Sequence, residues 1–283
     1  MSTALVTLWT DVKRRLEAAG VDTPVFDARL LVEAGAGVSR LDIVTDPRRV
    51  LSDEQVAAVD ALTRRREDRE PVAHIIGRRH FWTIELAVTP DVLIPRPETE
   101  LLVESAIHVL APDQRASVLD LGVGSGAILF AILKERPHAI GVGVDVSGDA
   151  LAIARLNAEA LGISNRVDLR VSDWALDVEG EFDLVVSNPP YIPSKDIDAL
   201  QPEVARFEPR LALDGGVDGL DAYRVIVAAL PRLLKPGGAF ALEVGIGQAE
   251  DVRALAEAVG LSTGPAKRDL AGIPRVVNGS RAA

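Results

Sequence analysis

The sequence predicts a two-domain α/β protein: a small helical domain, a β-hairpin linker and an open, mostly parallel sheet covered by helices. Three observations carry this. Apolar residues in the first seventy positions recur at helical spacing. Residues 71–95 are punctuated by Pro71, Gly77 and Pro90 around short β-like runs. From Pro95 onward, β-like runs alternate with amphipathic segments, the pattern of a sheet with helices on both faces. At 283 residues the chain is long for one domain and comfortable for a large one plus a small one. The expected boundaries are 1–72, 73–95 and 96–283.

In the first part, helical spacing runs through Leu5–Leu16, Phe26–Ala34 and Val56–Leu62, with no alternating strand between them. The third helix is signalled at about Ser52 by Ser52 and Gln55, a capping-box pattern, and it ends in Arg64, Arg65, Arg66 and Arg69. Cations at a helix C-terminus are placed favourably against the helix dipole; the alternative is a contact patch for a macromolecular partner. The linker hairpin is expected from Phe81–Val88 and Val92–Ile94. Beyond it, strands are expected at Ser117–Leu121, Ile140–Val146, Val167–Val171, Leu184–Ser187 and Ala239–Val244, with a last pair within Thr263–Val277. Helices are expected at Ile128–Glu135, Asp149–Leu161, Tyr223–Leu234 and Gln248–Val259.

Apolar residues make up 48% and charged residues 26%, as in an ordinary soluble globular protein. The absence of Cys removes disulfides, thiolate metal sites and Cys nucleophiles together. His74, His80, His108 and His138 show no ligand spacing, so no metal is expected. No run approaches the about 18 apolar residues of a membrane span. Met1 to Thr10 lacks the basic start of a signal peptide, and a cytoplasmic monomer is expected. The formal charge of −11 argues against bare nucleic acid as the main ligand, because phosphate contacts want a basic stripe.

Ligands of open α/β sheets bind at the carboxyl ends of the strands. After the first strand comes Asp120-Leu121-Gly122-Val123-Gly124-Ser125-Gly126. Its glycines permit a tight turn and close approach of a ligand to the backbone. The G-x-G-x-G spacing differs from the G-x-G-x-x-G that seats a pyrophosphate. With an acid before it, the loop suits a ligand with a cationic, amino-acid-like end. The second strand ends in Asp145, 19 residues past Gly126, where a carboxylate can accept hydrogen bonds from ribose hydroxyls. The third ends in Ser172-Asp173-Trp174: Trp174 can stack on adenine, or fill the core, and Asp173 can accept from the adenine amino group. Together these predict a nucleoside site, and S-adenosylmethionine fits all three.

The fourth strand runs into Asn188-Pro189-Pro190-Tyr191. An amide or exocyclic amino nitrogen is a poor nucleophile, because its lone pair is delocalised. Such a nitrogen needs hydrogen-bond acceptors that hold its protons and turn the lone pair towards an incoming methyl. The Asn188 side-chain oxygen and the Pro189 carbonyl can do this, the prolines stiffen the segment, and Tyr191 offers a flat surface for a planar group. Those four residues serve protein amides and adenine amino groups equally.

The chain resembles the peptide-chain release-factor glutamine methyltransferases (the HemK/PrmC family) over nearly its whole length. The resemblance rests on Val92-Leu93-Ile94-Pro95-Arg96-Pro97-Glu98-Thr99-Glu100, the Asp120–Gly126 loop, Ser172-Asp173-Trp174, Asn188–Pro193 and Phe207–Gly216. It continues through Leu234-Lys235-Pro236-Gly237-Gly238, Leu242-Glu243-Val244-Gly245 and Asp269–Arg275. The segments Ile94–Glu100 and Phe207–Leu213 are the most specific. The resemblance implies a class I (Rossmann-like) S-adenosylmethionine methyltransferase sheet and a helical N-terminal domain that recognises the partner. The implied substrate is the glutamine of Gly-Gly-Gln in class 1 release factors. By position, Gly122, Gly124, Gly126, Asp145, Trp174 and Asn188 contact the cofactor, and Asn188, Pro189, Pro190 and Tyr191 form the glutamine site. Val123 and Ser125 stand where many relatives carry Thr, which leaves the loop's backbone role intact. Arg96, Glu98 and Glu100 belong either near the methionine end of the cofactor or in a structural ion pair.

The rival enzyme is a nucleic-acid adenine amino-methyltransferase, which predicts a basic groove beside Tyr191. A non-catalytic cofactor-binding scaffold is disfavoured by the intact Asn188 and Tyr191, and a nicotinamide oxidoreductase by the loop spacing.

Overall fold

A computed structural model of the chain describes residues 3–283. They fall into two units, one running up to Arg78 and including Gln201–Phe207, the other made of Arg79–Leu200 and Glu208–Ala283.

The first unit holds α1 (Leu5–Ala18), α2 (Pro24–Ala36), α3 (Arg40–Thr45), α4 (Asp53–Glu67) and α5 (Val72–Ile76). Leu5, Leu8, Val12 and Leu16 form one buried stripe of α1, clustered with Leu31 and Val32 of α2 and Val59 of α4. The Ser52 signal is a working cap: its hydroxyl accepts the Gln55 N–H at 3.2 Å, and Gln55 Oε1 accepts the Ser52 N–H at 3.0 Å. The region is not wholly helical, since β1 (Thr3–Ala4) pairs antiparallel with β2 (Val50–Leu51). A two-residue pair is too short for alternation to register in the sequence.

The arginines that close α4 are engaged within their own unit. Buried Arg66 donates to Asp27 at 2.7 Å and lies 2.9 Å from Glu203 of α9 (Pro202–Phe207). Arg69 forks onto both oxygens of Glu203 at 2.7 Å each. Arg64 and Arg65 pair with Asp60 and Glu70. Arg66 and Arg69 persist as deeply placed charges because they are paired, and these two are structural, whereas Arg64 and Arg65 stay exposed at the surface.

In the second unit, the hairpin is β3 (Arg78–Phe81) and β4 (Ile84–Ala87), so the strands are not Phe81–Val88 and Val92–Ile94. The chain reverses at Trp82-Thr83, with Trp82 at φ +52°, a bend that apolar patterning does not reveal. Helix α6 (Glu100–Val109) was not read from the sequence; it has no side-chain cap, and its identity comes from burying Leu102, Val103 and Ala106.

The large sheet contains β5 (Ser117–Leu121), β6 (Ile140–Asp145), β7 (Val167–Val171), β8 (Phe182–Ser187), β9 (Leu234–Glu243), β10 (Ser262–Thr263), β11 (Lys267–Arg268) and β12 (Pro274–Ser280). Its order is β10-β12-β9-β8-β5-β6-β7, with β11 on β12. Strands β5 to β9 pair in parallel, and β12 runs antiparallel to β9. Successive residues point to opposite faces, and the cores follow. Val118, Leu184, Val186, Ala239 and Ala241 join the cluster containing α6, α7 (Ala127–Glu135) and α8 (Gly148–Ala160). Leu119, Leu121, Val185, Phe240 and Leu242 join the one containing α10 (Asp221–Leu233) and α11 (Ala249–Ala258). The parallel register brings the carboxyl ends of β5, β6, β7 and β8 to one edge of the sheet.

Candidate active site

A cavity of about 380 Å³ opens at that edge, within the size range of small-molecule sites. Its walls include Gly122, Val123, Gly124 and Ser125 after β5, Asp145 at the end of β6, Trp174 after β7, and Asn188 and Pro190 after β8.

The glycine loop turns between strand and helix with Gly126 at φ +89°, and a Cβ there would fall 2.0 Å from the Phe130 ring. Glycine is therefore required both for its dihedral and for the space. The Gly122 and Val123 N–H groups both donate to the Val144 carbonyl at 2.9 Å. Asp145 completes the loop's anchorage: Oδ2 accepts the Gly124 N–H and Oδ1 the Ser147 N–H, each at 2.9 Å. A carboxylate has about four acceptor positions, so Asp145 keeps capacity for two hydroxyl donors.

Trp174 sits at φ +49°, in the left-handed region that disfavours side chains. Its half-buried ring packs on the Leu119–Leu121 core and lies 3.5 Å from where a Cβ of Gly122 would stand. The residue thus packs on the core and lines the cavity as well. Asp173 is exposed and outside the lining. Asp120 corrects an expectation. It is fully buried in β5 and absent from the cavity wall, and burial holds its carboxyl well above the usual range. Asp120 sits inside its strand, one residue before the end, whereas Asp145 closes β6 and is the acid at the cavity wall.

At the end of β8, the Ser187 hydroxyl donates to the Leu121 carbonyl at 2.6 Å, locking β8 to β5. Asn188 follows, its Nδ2 donating to the Thr99 hydroxyl at 3.3 Å. That bond leaves Oδ1 as the atom available to accept. Pro189 is buried, and Tyr191 is half-buried outside the cavity lining. The Tyr191 carbonyl accepts from Gln248 Nε2 at 2.9 Å, and the Ile192 N–H donates to Leu213 O at 3.0 Å, which holds the segment in place. Burial first, and then the charge of Glu243, push the Tyr191 phenol up to about 12. The phenol is thus neutral at physiological pH and suited to packing rather than to proton transfer.

Three residues at the site escaped sequence reasoning. Thr99 and Glu243 are buried beside Asn188 and Tyr191, and Glu243 is pushed up to about 7 by burial against the opposing hydrogen bond from Thr99. An acid in the apolar run Ala239–Val244 was a signal available for Glu243. Gln248 carried none. Arg96 forks onto the buried Glu208 at 2.6 and 2.8 Å, a structural ion pair at the cavity wall, while Glu100 accepts the Trp82 N–H at 2.9 Å.

Comparison with known proteins places these features among relatives. The PrmC N-terminal domain family matches residues 7–77, and the methyltransferase small domain family matches residues 98–211. The chain is 52% identical to a release factor glutamine methyltransferase of Caulobacter vibrioides, covering 99% of this chain and 97% of that one. It is 50% identical to the protein of the same description from Rhodospirillum rubrum, covering 95% and 82%. Among solved structures, a methyltransferase from Pyrococcus furiosus shares the fold, with a TM-score of 0.52 at 17% identity over 70% of this chain and 89% of that one.

Proposed function

Because the chain belongs to the release factor glutamine methyltransferase family, we propose that it methylates the side-chain amide nitrogen (N5) of the glutamine in the Gly-Gly-Gln motif of class 1 peptide chain release factors. S-adenosylmethionine, when bound, supplies an electrophilic methyl group whose bonding pair stays with sulfur on transfer. Gly122–Gly126, Asp145 and Trp174 are the residues that would hold it, with Val123 and Ser125 contributing backbone. The remaining acceptor capacity of Asp145 and the indole at the cavity wall fit a ribose and an adenine. Asp173 retains only an outer role, at the exposed rim.

The observation that carries the reading is Asn188 at the cavity wall, with its Nδ2 committed to Thr99 and its Oδ1 left to accept. Asn188 Oδ1 and the Pro189 carbonyl take the two N–H groups of the substrate amide, and Pro190 and Tyr191 confine its plane. Held this way, the nitrogen lone pair is turned out of amide conjugation towards the methyl, and one amide proton is released to water. Positioning of this kind can supply up to about 7–11 kcal/mol of the barrier.

Two observations favour a protein amide over a nucleic-acid base. The charged residues of the cavity wall are Asp91, Asp145, Asp214, Asp221 and Arg96, and Arg96 is already paired with Glu208. Such a wall repels phosphate instead of gathering it. In the helical domain, exposed Val25, Phe26, Leu41 and Val44 offer apolar surface of the kind a protein partner covers. The domain assignment is residues 1–72 for recognition, 73–95 for the linker and 96–283 for transfer, in a cytoplasmic monomer with no direct nucleic-acid partner.

Mass spectrometry of an unmethylated release factor, incubated with this protein and S-adenosylmethionine, tests the proposal. One added methyl on the Gly-Gly-Gln glutamine is the expected result. Methyl transfer to DNA or RNA adenines, with none to the protein, would replace it with the rival reading.

A further inference from the structure

Resting on the reading of Asn188–Tyr191 as the glutamine site, we propose that Gln248 is a positioning residue whose side-chain NH₂ aligns that segment for methyl transfer. Gln248 stands outside the cavity lining and acts through the Tyr191 carbonyl. The need for such a tether follows from the segment's own residues. Proline has no main-chain N–H, so Pro189 and Pro190 donate nothing to a neighbouring strand. At one end β8 is fixed at Ser187, whose hydroxyl donates to the Leu121 carbonyl at 2.6 Å. At the other end the Ile192 N–H donates to Leu213 O at 3.0 Å. Between these anchors, the Tyr191 carbonyl accepts from Gln248 Nε2 at 2.9 Å.

The Gln248 amide is used at both ends. Nε2 donates to Tyr191 O and also to Gly219 O at 3.2 Å, while Oε1 accepts the Gly245 N–H at 3.0 Å. The two ends are not exchangeable, because a carbonyl needs a donor and an N–H needs an acceptor. Gln248 thereby joins three turns: the one after β8, the one before α10 and the one after β9. The second of these matters for alignment. Helix α10 begins at Asp221, and Asp221, Ala222 and Val225 line the cavity. One nitrogen therefore ties the substrate segment to a wall of the cofactor cavity.

The surroundings are shaped around this contact. A Cβ on Gly219 would fall 2.4 Å from the Tyr191 carbonyl oxygen and 2.6 Å from Gln248 Nε2. A Cβ on Gly245 would fall 2.7 Å from Gln248 Oε1 and 3.0 Å from Cδ2 of the Tyr191 ring. Gly219 also sits at φ +79°, a dihedral that favours glycine. The Gln248 main chain is pinned as well: its N–H donates to Gly245 O at 3.2 Å, and its carbonyl accepts the Val252 N–H of α11 at 3.0 Å. A side chain held at its root and at both ends of its amide is rigid. Alignment requires that rigidity, since a misplacement of about 1 Å can cost about a hundredfold in rate.

The experiment measures kcat and KM for release-factor methylation, S-adenosylmethionine affinity by calorimetry, and the urea midpoint, in two variants that keep opposite ends of the amide. Gln248→Glu keeps the acceptor for Gly245 and loses both donors. It is expected to lose about ten- to a hundredfold in kcat, with cofactor affinity preserved. Gln248→Lys keeps donors for Tyr191 O and Gly219 O and loses the acceptor. It is expected to hold kcat within a few-fold of wild type, even where its urea midpoint falls. Turnover that follows the midpoint instead of the donor overturns the assignment, as does a Gln248→Glu enzyme with wild-type kcat. An equal loss of kcat and cofactor affinity in Gln248→Glu overturns it too. Should either charged variant not fold, Gln248→Met, which removes both donors without adding a charge, decides by the same split. A wild type that methylates no glutamine overturns the functional reading and the role of Gln248 with it.

Discussion

Asp145 Oδ2 accepts the main-chain N–H of Gly124 at 2.9 Å, so the acid that ends β6 is bonded to the middle of the glycine loop that follows β5. Adjacent parallel strands end side by side, and this bond turns that adjacency into a rigid corner. That bond helps to shape the loop, and the same carboxylate retains acceptor positions towards the cavity. Positioning and binding are thus shared by one side chain.

Asp145→Ala is expected to weaken S-adenosylmethionine binding by about ten- to a hundredfold. The range corresponds to losing hydrogen bonds to a charged group at about 1.5–3 kcal/mol. Calorimetric titration measures it, and an unchanged Kd would refute the ribose assignment.

Asn188→Ala is expected to cut kcat by about 10²–10³, the scale for removing one hydrogen-bonding group that stabilises a transition state. Cofactor affinity should be comparatively intact. Turnover assays beside calorimetry separate the two, and an equal loss of both would remove the role assigned to the Asn188 oxygen.

Gly126→Ala is expected to destabilise the sheet domain. The added methyl enters the Phe130 ring, at 2.0 Å, on a backbone held at φ +89°. Strain of about 1–3 kcal/mol for the dihedral and a similar cost for overpacking combine here. Urea unfolding should show a lower midpoint at an unchanged slope. A midpoint equal to wild type would show that the loop can relax around the methyl.

Acidic residues show how far a one-dimensional reading extends. Asp120 and Asp145 both stand at the ends of strands beside a glycine loop, and the sequence invited a ligand role for each. Only the packed fold separates them: Asp120 is fully buried and away from the cavity wall, while Asp145, the last residue of β6, borders it. Thr99 shows the converse: its hydrogen bond with Asn188, 89 positions later in the chain, depends on the packing that brings the two segments together.

What is local or periodic is legible along the chain. Alternating residues such as Val118 and Leu119 specified a sheet buried on both faces, helical spacing specified α1, and the Ser52–Gln55 pattern specified the start of α4. Strand ends then marked Gly122–Gly126, Asp145, Trp174 and Asn188–Tyr191 as the residues to read, because open α/β sheets bind ligands there. The packed fold alone settles pairing across long separations. It placed the reversal at Trp82, the commitment of Arg66 and Arg69 to Glu203, and the bond from Asn188 to Thr99 that orients the side-chain amide. Periodicity is a property of neighbouring residues, whereas the partner of a buried polar group is chosen by whichever distant segment packs against it, and no spacing along the chain encodes that choice.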